Sequence, residues 1–155
     1  MIVFQKNKKE MFQNRRFIFD IDYSLLEKGG IIVIEQGEYY THRKNILTSL
    51  VVDQIAMSLG RFTKNVKIFN FEKNKEFPMY IINNFPATQL QMVICEDPVF
   101  HIYSPKIKNH RLAINTISEA IHSKIVIIFV IRQIKNLPIK IKNKIDILIS
   151  LKNKK

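Results

Sequence analysis

The residues that could carry out chemistry in this chain are few, and their spacing specifies no single reaction. His110 and Arg111 are adjacent in a basic stretch. Such a pair could cleave RNA, with the imidazole as a general base and the guanidinium holding the phosphate. Catalysis requires both side chains to converge on one scissile bond, and a solvated loop is the simpler interpretation of the pair. A small basic nuclease or toxin acting on RNA therefore stays an alternative.

The other acidic, histidine and cysteine residues also lack the spacing of a catalytic or metal site. Glu96 and Asp97 are adjacent carboxylates, and adjacent residues on a strand point to opposite faces of the sheet. The four histidines are scattered, and Cys95 is the only cysteine, in an apolar run that indicates a buried small hydrophobe. The glycines do not form a phosphate-binding loop. We therefore expect no enzyme activity, no metal site and no cofactor.

The strongest chemical signal is a positive charge that is distributed unevenly along the chain. The 155 residues carry a formal net charge of +12. Residues 1–16 and 132–155 are strongly basic, whereas residues 17–60 carry a net negative charge. Such a field suits a phosphate backbone or another polyanion. Lysine far outnumbers arginine, as in genes from AT-rich genomes, so a non-catalytic protein-interaction module with an incidentally Lys-rich composition is a second alternative.

The hydrophobic pattern predicts the elements that would position these residues. Apolar residues recur at three- and four-residue spacing after Asn45 and before Gly60, which predicts one clear helix over about 45–59. Shorter β-branched and aromatic runs predict strands before and after this helix. They lie at residues 17–23, 31–34, 66–71, 77–82, 90–94 and 99–103.

The C-terminal third contains the clearest β-like patterns. Lys124–Ile131 is apolar on both faces, as expected for a central strand. Between Leu137 and Leu151, apolar residues occupy nearly every second position, and polar residues, three of them lysines, occupy most of the others. This alternation predicts one long strand, or a hairpin that turns at Lys142–Lys144. Its cationic side could lie along a duplex or could protect a sheet edge from aggregation.

Together these patterns predict a single basic domain over residues 1–155, with flexible basic termini at about 1–14 and 152–155. Its expected class is α+β, predominantly antiparallel β with one clear helix. No signal peptide is visible at the N-terminus, and the longest apolar run, Ile125–Ile131, is too short to span a bilayer. We therefore expect a cytoplasmic protein that does not contact membranes.

The order of several short motifs resembles the ComK-type competence transcription factors of low-GC Gram-positive bacteria. Gly60-Arg61 follows the predicted helix, as a Gly-Arg pair does in that family, and Val66-Lys67 resembles its basic strand. Further matches are to its Pro-containing strand, its Phe-Pro-Thr-like and Ile-Trp-Ile-like strands and its closing Leu-Pro-Ile stretch. In that order they are residues 74–81, 100–105, 112–115 and 137–139. The chain lacks Trp and would be a divergent or shortened member.

The resemblance implies a DNA-binding transcriptional activator of competence that reads AT-rich duplex, largely through the minor groove. It also implies control by an adaptor–protease system. Arg61 is a candidate contact because it belongs to the Gly-Arg match, and the other candidates follow from charge placement. One group is Arg61, Lys64, Lys67, Lys106, Lys108 and Arg111, and the second is Lys140, Lys142 and Lys144.

Overall fold

Seven strands form one sheet, and its five-stranded body is entirely parallel. The computed structural model describes residues 2–5, 12–13, 26–37, 46–58, 66–69, 76–96, 110–119 and 123–151. The strands are β1 Ile2–Gln5, β2 Phe12–Gln13, β3 Gly30–Glu35, β4 Val66–Phe69, β5 Gln91–Glu96, β6 Ile125–Ile131 and β7 Ile147–Ser150. The helices are α1 Ile46–Ser58, α2 Phe77–Asn84, α3 His110–Glu119 and α4 Ile139–Lys142.

The strands lie in the order β2-β1-β7-β3-β6-β5-β4, which requires crossover connections. From β3 the chain passes through α1 to β4 at one margin, and it then returns strand by strand through α2 and α3 to β6. The last crossover carries α4 past β3 to β7. Because crossovers between parallel strands are right-handed, reversing direction along the sheet moves the connecting helix to the opposite face.

The two faces of the sheet are covered accordingly by different helices. Val51 and Ile55 of α1 pack on one face, against Ile32 and Ile34 of β3. The opposite face carries α2, α3 and α4, whose buried anchors are Phe77, Ile81, Ile117 and Ile141. The described residues thus form a three-layered, doubly wound α/β architecture.

The prediction of a predominantly antiparallel α+β domain with one clear helix is therefore wrong. Antiparallel pairing is confined to one margin, where β1 pairs with β7 and β2 pairs with β1. The separate strands were predicted from their composition, but composition does not distinguish parallel from antiparallel neighbours. β1 and β2 lie within the N-terminal segment of about 1–14 for which flexibility was predicted, and residues 152–155 lie outside the described residues.

Two predicted strands are helical in the structure. Residues 77–82 belong to α2, in which Phe77, Pro78 and Ile81 are buried at helical spacing. The predicted strand or hairpin after Leu137 is instead the helix α4, a turn and then β7. Other predictions are confirmed: β6 is a central strand whose seven residues are all buried, Cys95 is buried, and a helix spans Ile46–Ser58. None of the helices in the described ranges is long and apolar enough to cross a membrane.

Candidate functional site

The carboxyl ends of β3 and β6 meet at the centre of the sheet. After β3 the chain passes to α1 on one face, and after β6 it passes to α4 on the opposite face. In open parallel sheets, ligands bind outside the carboxyl ends of the strands at such a topological switch point. We call this place the switch-point crevice and define it by Glu35 at the end of β3, by Gln36 and Gly37 after it, and by Arg132 and Gln133 after β6.

Glu35 lies on the α4 side of the switch-point crevice. Its side chain is buried, and its Oε2 accepts a hydrogen bond from the backbone N–H of Ile134 at 2.6 Å. The Ser150 hydroxyl donates to Glu35 Oε1 at 3.0 Å, and the Leu151 N–H donates to the Glu35 carbonyl at 2.8 Å. This carboxylate therefore joins the ends of β3 and β7 to the 3-10 turn Ile134–Asn136, which is a structural role.

Gln36 occupies the α1 side of the switch-point crevice. Its Nε2 donates to Thr48 Oγ1 in the first turn of α1 at 2.8 Å, and both side chains are at least nine-tenths buried. Within the described residues, Gln36 Oε1 has no hydrogen-bond partner. Gly37 has a φ of +60°, in the left-handed region that glycine adopts without strain. β3 is followed along the chain by α1, which is the strand–helix order of a phosphate-binding motif.

A second candidate site is the outer surface of α3 and α4. Lys140 Nζ donates to Asn115 Oδ1 at 2.8 Å, which links the two helices directly. Arg111 lies one helical turn before Asn115, so it projects from the same side of α3. We call this surface the α3–α4 face; its basic residues are Arg111, Lys135, Lys140, Lys142 and Lys144.

The α3–α4 face is basic without acidic neighbours in its own segments. Residues 133–145 contain no Asp or Glu, and the acidic residue of α3, Glu119, is at its C-terminal end. Lys140 and Lys144 are exposed, as is Arg111, while Lys142 is half-buried. Positive charge on adjacent helices raises the local concentration of anions.

The structure places four of the nine predicted contact residues in α3, in α4 or in the turn after α4: Arg111, Lys140, Lys142 and Lys144. Lys67 is exposed on β4, at the sheet margin farthest from β7 within the parallel body, so it does not join them. Arg61, Lys64, Lys106 and Lys108 lie outside the described residues. The pair proposed for RNA cleavage, His110 and Arg111, begins α3.

Sequence reasoning missed the switch-point crevice because it missed the parallel sheet. Glu35-Gln36-Gly37 follows a β-branched strand and precedes the predicted helix, so a strand–loop–helix signal was present. Among the residues that the structure describes, no group of three His, Cys, Asp or Glu side chains could hold a metal ion.

Comparison with known proteins provides no family for this chain. No protein-family model matches it, and no curated protein matches its sequence significantly. Two of the segments that resemble strands of the ComK-type factors are helical here, since they lie in α2 and α3. Membership of that family stays a prediction.

Proposed function

We propose that this chain is a non-catalytic nucleic-acid-binding domain whose α3–α4 face contacts the phosphate backbone of duplex DNA. The observation that carries this proposal is the Lys140–Asn115 hydrogen bond, which sets the lysines of α4 beside Arg111 of α3. Phosphate contacts provide most of the affinity of such proteins and need cations rather than a catalytic constellation. Lysine serves this purpose as a point charge, so the scarcity of arginine does not weaken it.

The finer proposal is a transcriptional regulator that binds AT-rich DNA. It rests on the ComK-type resemblance and on the narrow minor groove of A-tracts, whose strongly negative potential attracts inserted cations. We expect tighter binding to AT-rich than to GC-rich duplex and competition by a minor-groove drug. Equal affinity for both duplexes without drug competition would contradict the proposed preference for AT-rich DNA. It would not contradict the proposed contacts to the phosphate backbone.

A salt titration of DNA binding tests the proposed function. Each phosphate contact contributes about −0.9 to the slope of log affinity against log salt concentration. We expect the double variant Arg111→Ala/Lys144→Ala to bind more weakly and with a shallower slope, whereas Lys67→Ala on β4 is the matched control and keeps the wild-type slope. Binding that does not respond to salt, or no binding at low salt, would contradict the proposal.

The nuclease alternative predicts that the protein cleaves RNA and that His110 is required for cleavage. If the domain only binds nucleic acid, purified protein leaves RNA intact, and His110→Ala has no activity to remove. RNA cleavage that His110→Ala abolishes would establish the alternative and contradict a non-catalytic function.

A second candidate function is binding of a nucleotide's phosphates at the switch-point crevice. The specific observation is the buried Gln36–Thr48 hydrogen bond, which joins the end of β3 to the first turn of α1. The Gln36 amide can turn over, so that its oxygen accepts from the Thr48 hydroxyl and its NH₂ group faces a phosphate. The G-x-x-x-x-G-K-[S/T] motif is not present, because Gly37 is followed at that spacing by His42-Arg43-Lys44.

Thermal unfolding with and without ATP and Mg²⁺ tests this second function. A ligand that binds only the folded state raises the melting temperature, and the shift grows with the logarithm of the ligand concentration divided by the dissociation constant. We expect the shift to be lost in Thr48→Val and to persist in Ser49→Ala, an exposed neighbour in the same helix. No shift at millimolar ATP would exclude this function.

A further inference from the structure

Ile139 is a large apolar side chain that the fold holds in solvent. It is 71% exposed, although Leu137 and Ile141, two positions away on either side, are only 3% and 0% exposed. The flanking residues therefore anchor the segment in the core that faces α2, α3 and α4, while Ile139 points outward. A single exposed aliphatic residue is ordinary on a protein surface, so a function for Ile139 must be inferred from the residues around it.

The backbone that carries Ile139 is firmly held. Pro138 has a φ of −57°, and its carbonyl accepts hydrogen bonds from the N–H groups of Ile141 and Lys142 at 3.0 and 2.9 Å. The Asn143 N–H donates to the Ile139 carbonyl at 3.0 Å. The 3-10 turn that leads into this segment is tied to β3 through Glu35. Ile139 is thus presented by a rigid segment, as insertion into a ligand requires.

The surroundings of Ile139 are cationic and contain a second exposed aliphatic side chain. Lys140 follows Ile139 directly and reaches Asn115 of α3, and Leu112, next to Arg111, is 52% exposed. The ligand that matches this surface is a polyanion with an apolar interior. Duplex DNA has this character, because its phosphates flank stacked bases.

We infer that Ile139 is a wedge that inserts between base steps in the minor groove and kinks the DNA, while the lysines of α4 hold the flanking phosphates. The inference rests on the proposed DNA-binding function and adds a mechanism to it. Apolar side chains inserted in this way unstack a base step and bend the duplex by roughly 20–90°. Steps in AT-rich DNA that deform easily reduce the energy of the kink, which links the wedge to sequence preference.

An anionic membrane is the competing ligand, and the geometry disfavours it. Helices that lie in the membrane interface bury a continuous apolar face over several turns. α4 has four residues, and the α3–α4 face exposes two large aliphatic side chains, Leu112 and Ile139. That apolar area is too small for stable insertion into lipid but sufficient for one base step.

The test measures DNA bending and base unstacking separately from affinity. A duplex of about 30 base pairs carries dyes at its ends for energy transfer and 2-aminopurine at its central TA steps, which deform easily. We expect wild-type protein to bring the dyes closer and to raise 2-aminopurine fluorescence. Ile139→Ala abolishes both signals and lowers affinity about tenfold, with an unchanged salt slope. Ile139→Phe restores the bend, and Met79→Ala, which removes an exposed apolar side chain from α2, behaves as wild type.

The possible outcomes distinguish this inference from the function on which it rests. Salt-dependent binding without bending, or equal bending by wild type and Ile139→Ala, would overturn the wedge and leave the DNA-binding function intact. No binding to any duplex at low salt would remove both. Binding to phosphatidylserine vesicles that Ile139→Ala weakens, in the absence of DNA bending, would assign the surface to membranes instead.

Discussion

Glu35 shows how one buried carboxylate can hold three segments together. It accepts hydrogen bonds from the Ile134 N–H and the Ser150 hydroxyl. Glu35→Leu leaves these donors unpaired in a buried place, and an unsatisfied buried donor destabilises a fold by about 1–3 kcal/mol. We expect urea unfolding to show a loss in this range for Glu35→Leu and a smaller loss for Glu35→Gln, which keeps one acceptor.

Glu76→Leu is the matched control for this prediction, because Glu76 is exposed and its side chain makes no capping hydrogen bond to α2. Its free energy of unfolding should change by less than about 0.5 kcal/mol. Equal losses for the two leucine variants would show that the Glu35 hydrogen bonds contribute nothing specific.

We expect the Tyr80 phenol to make the free energy of unfolding depend on pH in the alkaline range. Burial raises the pKa of the Tyr80 phenol above its ordinary value of 10.0, and the hydroxyl donates to Gln91 Oε1 at 2.8 Å. The neutral phenol is favoured in the folded state, so its contribution is complete below the unfolded pKa and is lost as pH rises through the folded pKa. Tyr80→Phe removes both the hydrogen bond and this titration.

Unfolding curves between about pH 8 and pH 11 measure the effect as a difference between wild type and Tyr80→Phe. Wild type should be more stable by about 0.5–1.5 kcal/mol near pH 8, the worth of an ordinary hydrogen bond, and this advantage should shrink towards pH 11. The other tyrosines titrate in both proteins, so their contribution cancels when the free energy of unfolding of Tyr80→Phe is subtracted from that of wild type. An advantage that is constant with pH would contradict the raised pKa.

At the scale of elements, the alternation between Leu137 and Leu151 was misleading because two different elements share it. Leu137 and Ile141 are buried beside and within α4, and Ile147, Ile149 and Leu151 are buried on and after β7. Residues i and i+4 lie on the same face both in a helix and in a strand. A short helix can therefore continue a sequence pattern of alternating apolar residues. Ile139 is exposed, which is the one departure that only the structure reveals.

The helix α2 was hidden by a similar ambiguity around Pro78. Proline was interpreted as the start of an edge strand, yet it is also favoured in the first turn of a helix, where its missing N–H has no partner to lose. Phe77 and Ile81 are buried four residues apart, which is helical spacing. The strands β3, β5 and β6 were predictable because their β-branched runs are long and apolar.

The turn that leads into β3 is closely packed around Gly29. Gly29 has a φ of +102°, and a Cβ atom there would lie 2.6 Å from Ser123 Oγ and 2.9 Å from the backbone of Ile125. Gly29→Ala therefore suffers both backbone strain and a collision with β6. We expect a loss of about 1–3 kcal/mol in thermal or urea unfolding. Ser49→Ala, on the exposed side of α1, should be nearly neutral, and an equally neutral Gly29→Ala would contradict the close packing of this turn.

At the scale of the whole molecule, the sheet order predicts a gradient of local stability. β6 lies between β3 and β5 and is buried on both faces, whereas β2 is a two-residue strand at one margin. Amides in central strands exchange only through global unfolding, while those at margins exchange through local opening. Hydrogen exchange should therefore be slowest in β6 and β3 and fastest in β1 and β2. Faster exchange in β6 than in β4 would contradict this order.

The site was less predictable than the elements, because both candidate surfaces depend on topology. Arg111 and Lys140 are close only because α3 and α4 are adjacent crossovers, and Glu35 meets Ser150 only because β3 pairs with β7. Charge patterning identified the basic residues individually, without indicating which of them share a surface. A parallel sheet, once recognised, would have pointed to the switch-point crevice directly.

The central position of β6 also has a consequence during synthesis of the chain. Its seven residues, Ile125–Ile131, are all β-branched or aromatic, without charge, proline or glycine, which is the composition of segments that form intermolecular cross-β stacks. Before β3 and β5 cover it, a nascent chain exposes this segment to other copies and to chaperones. Lys124 and Arg132 stand immediately on either side, and such flanking charges act as gatekeepers against aggregation. Neutralising both should make expression of the protein depend on chaperone supply.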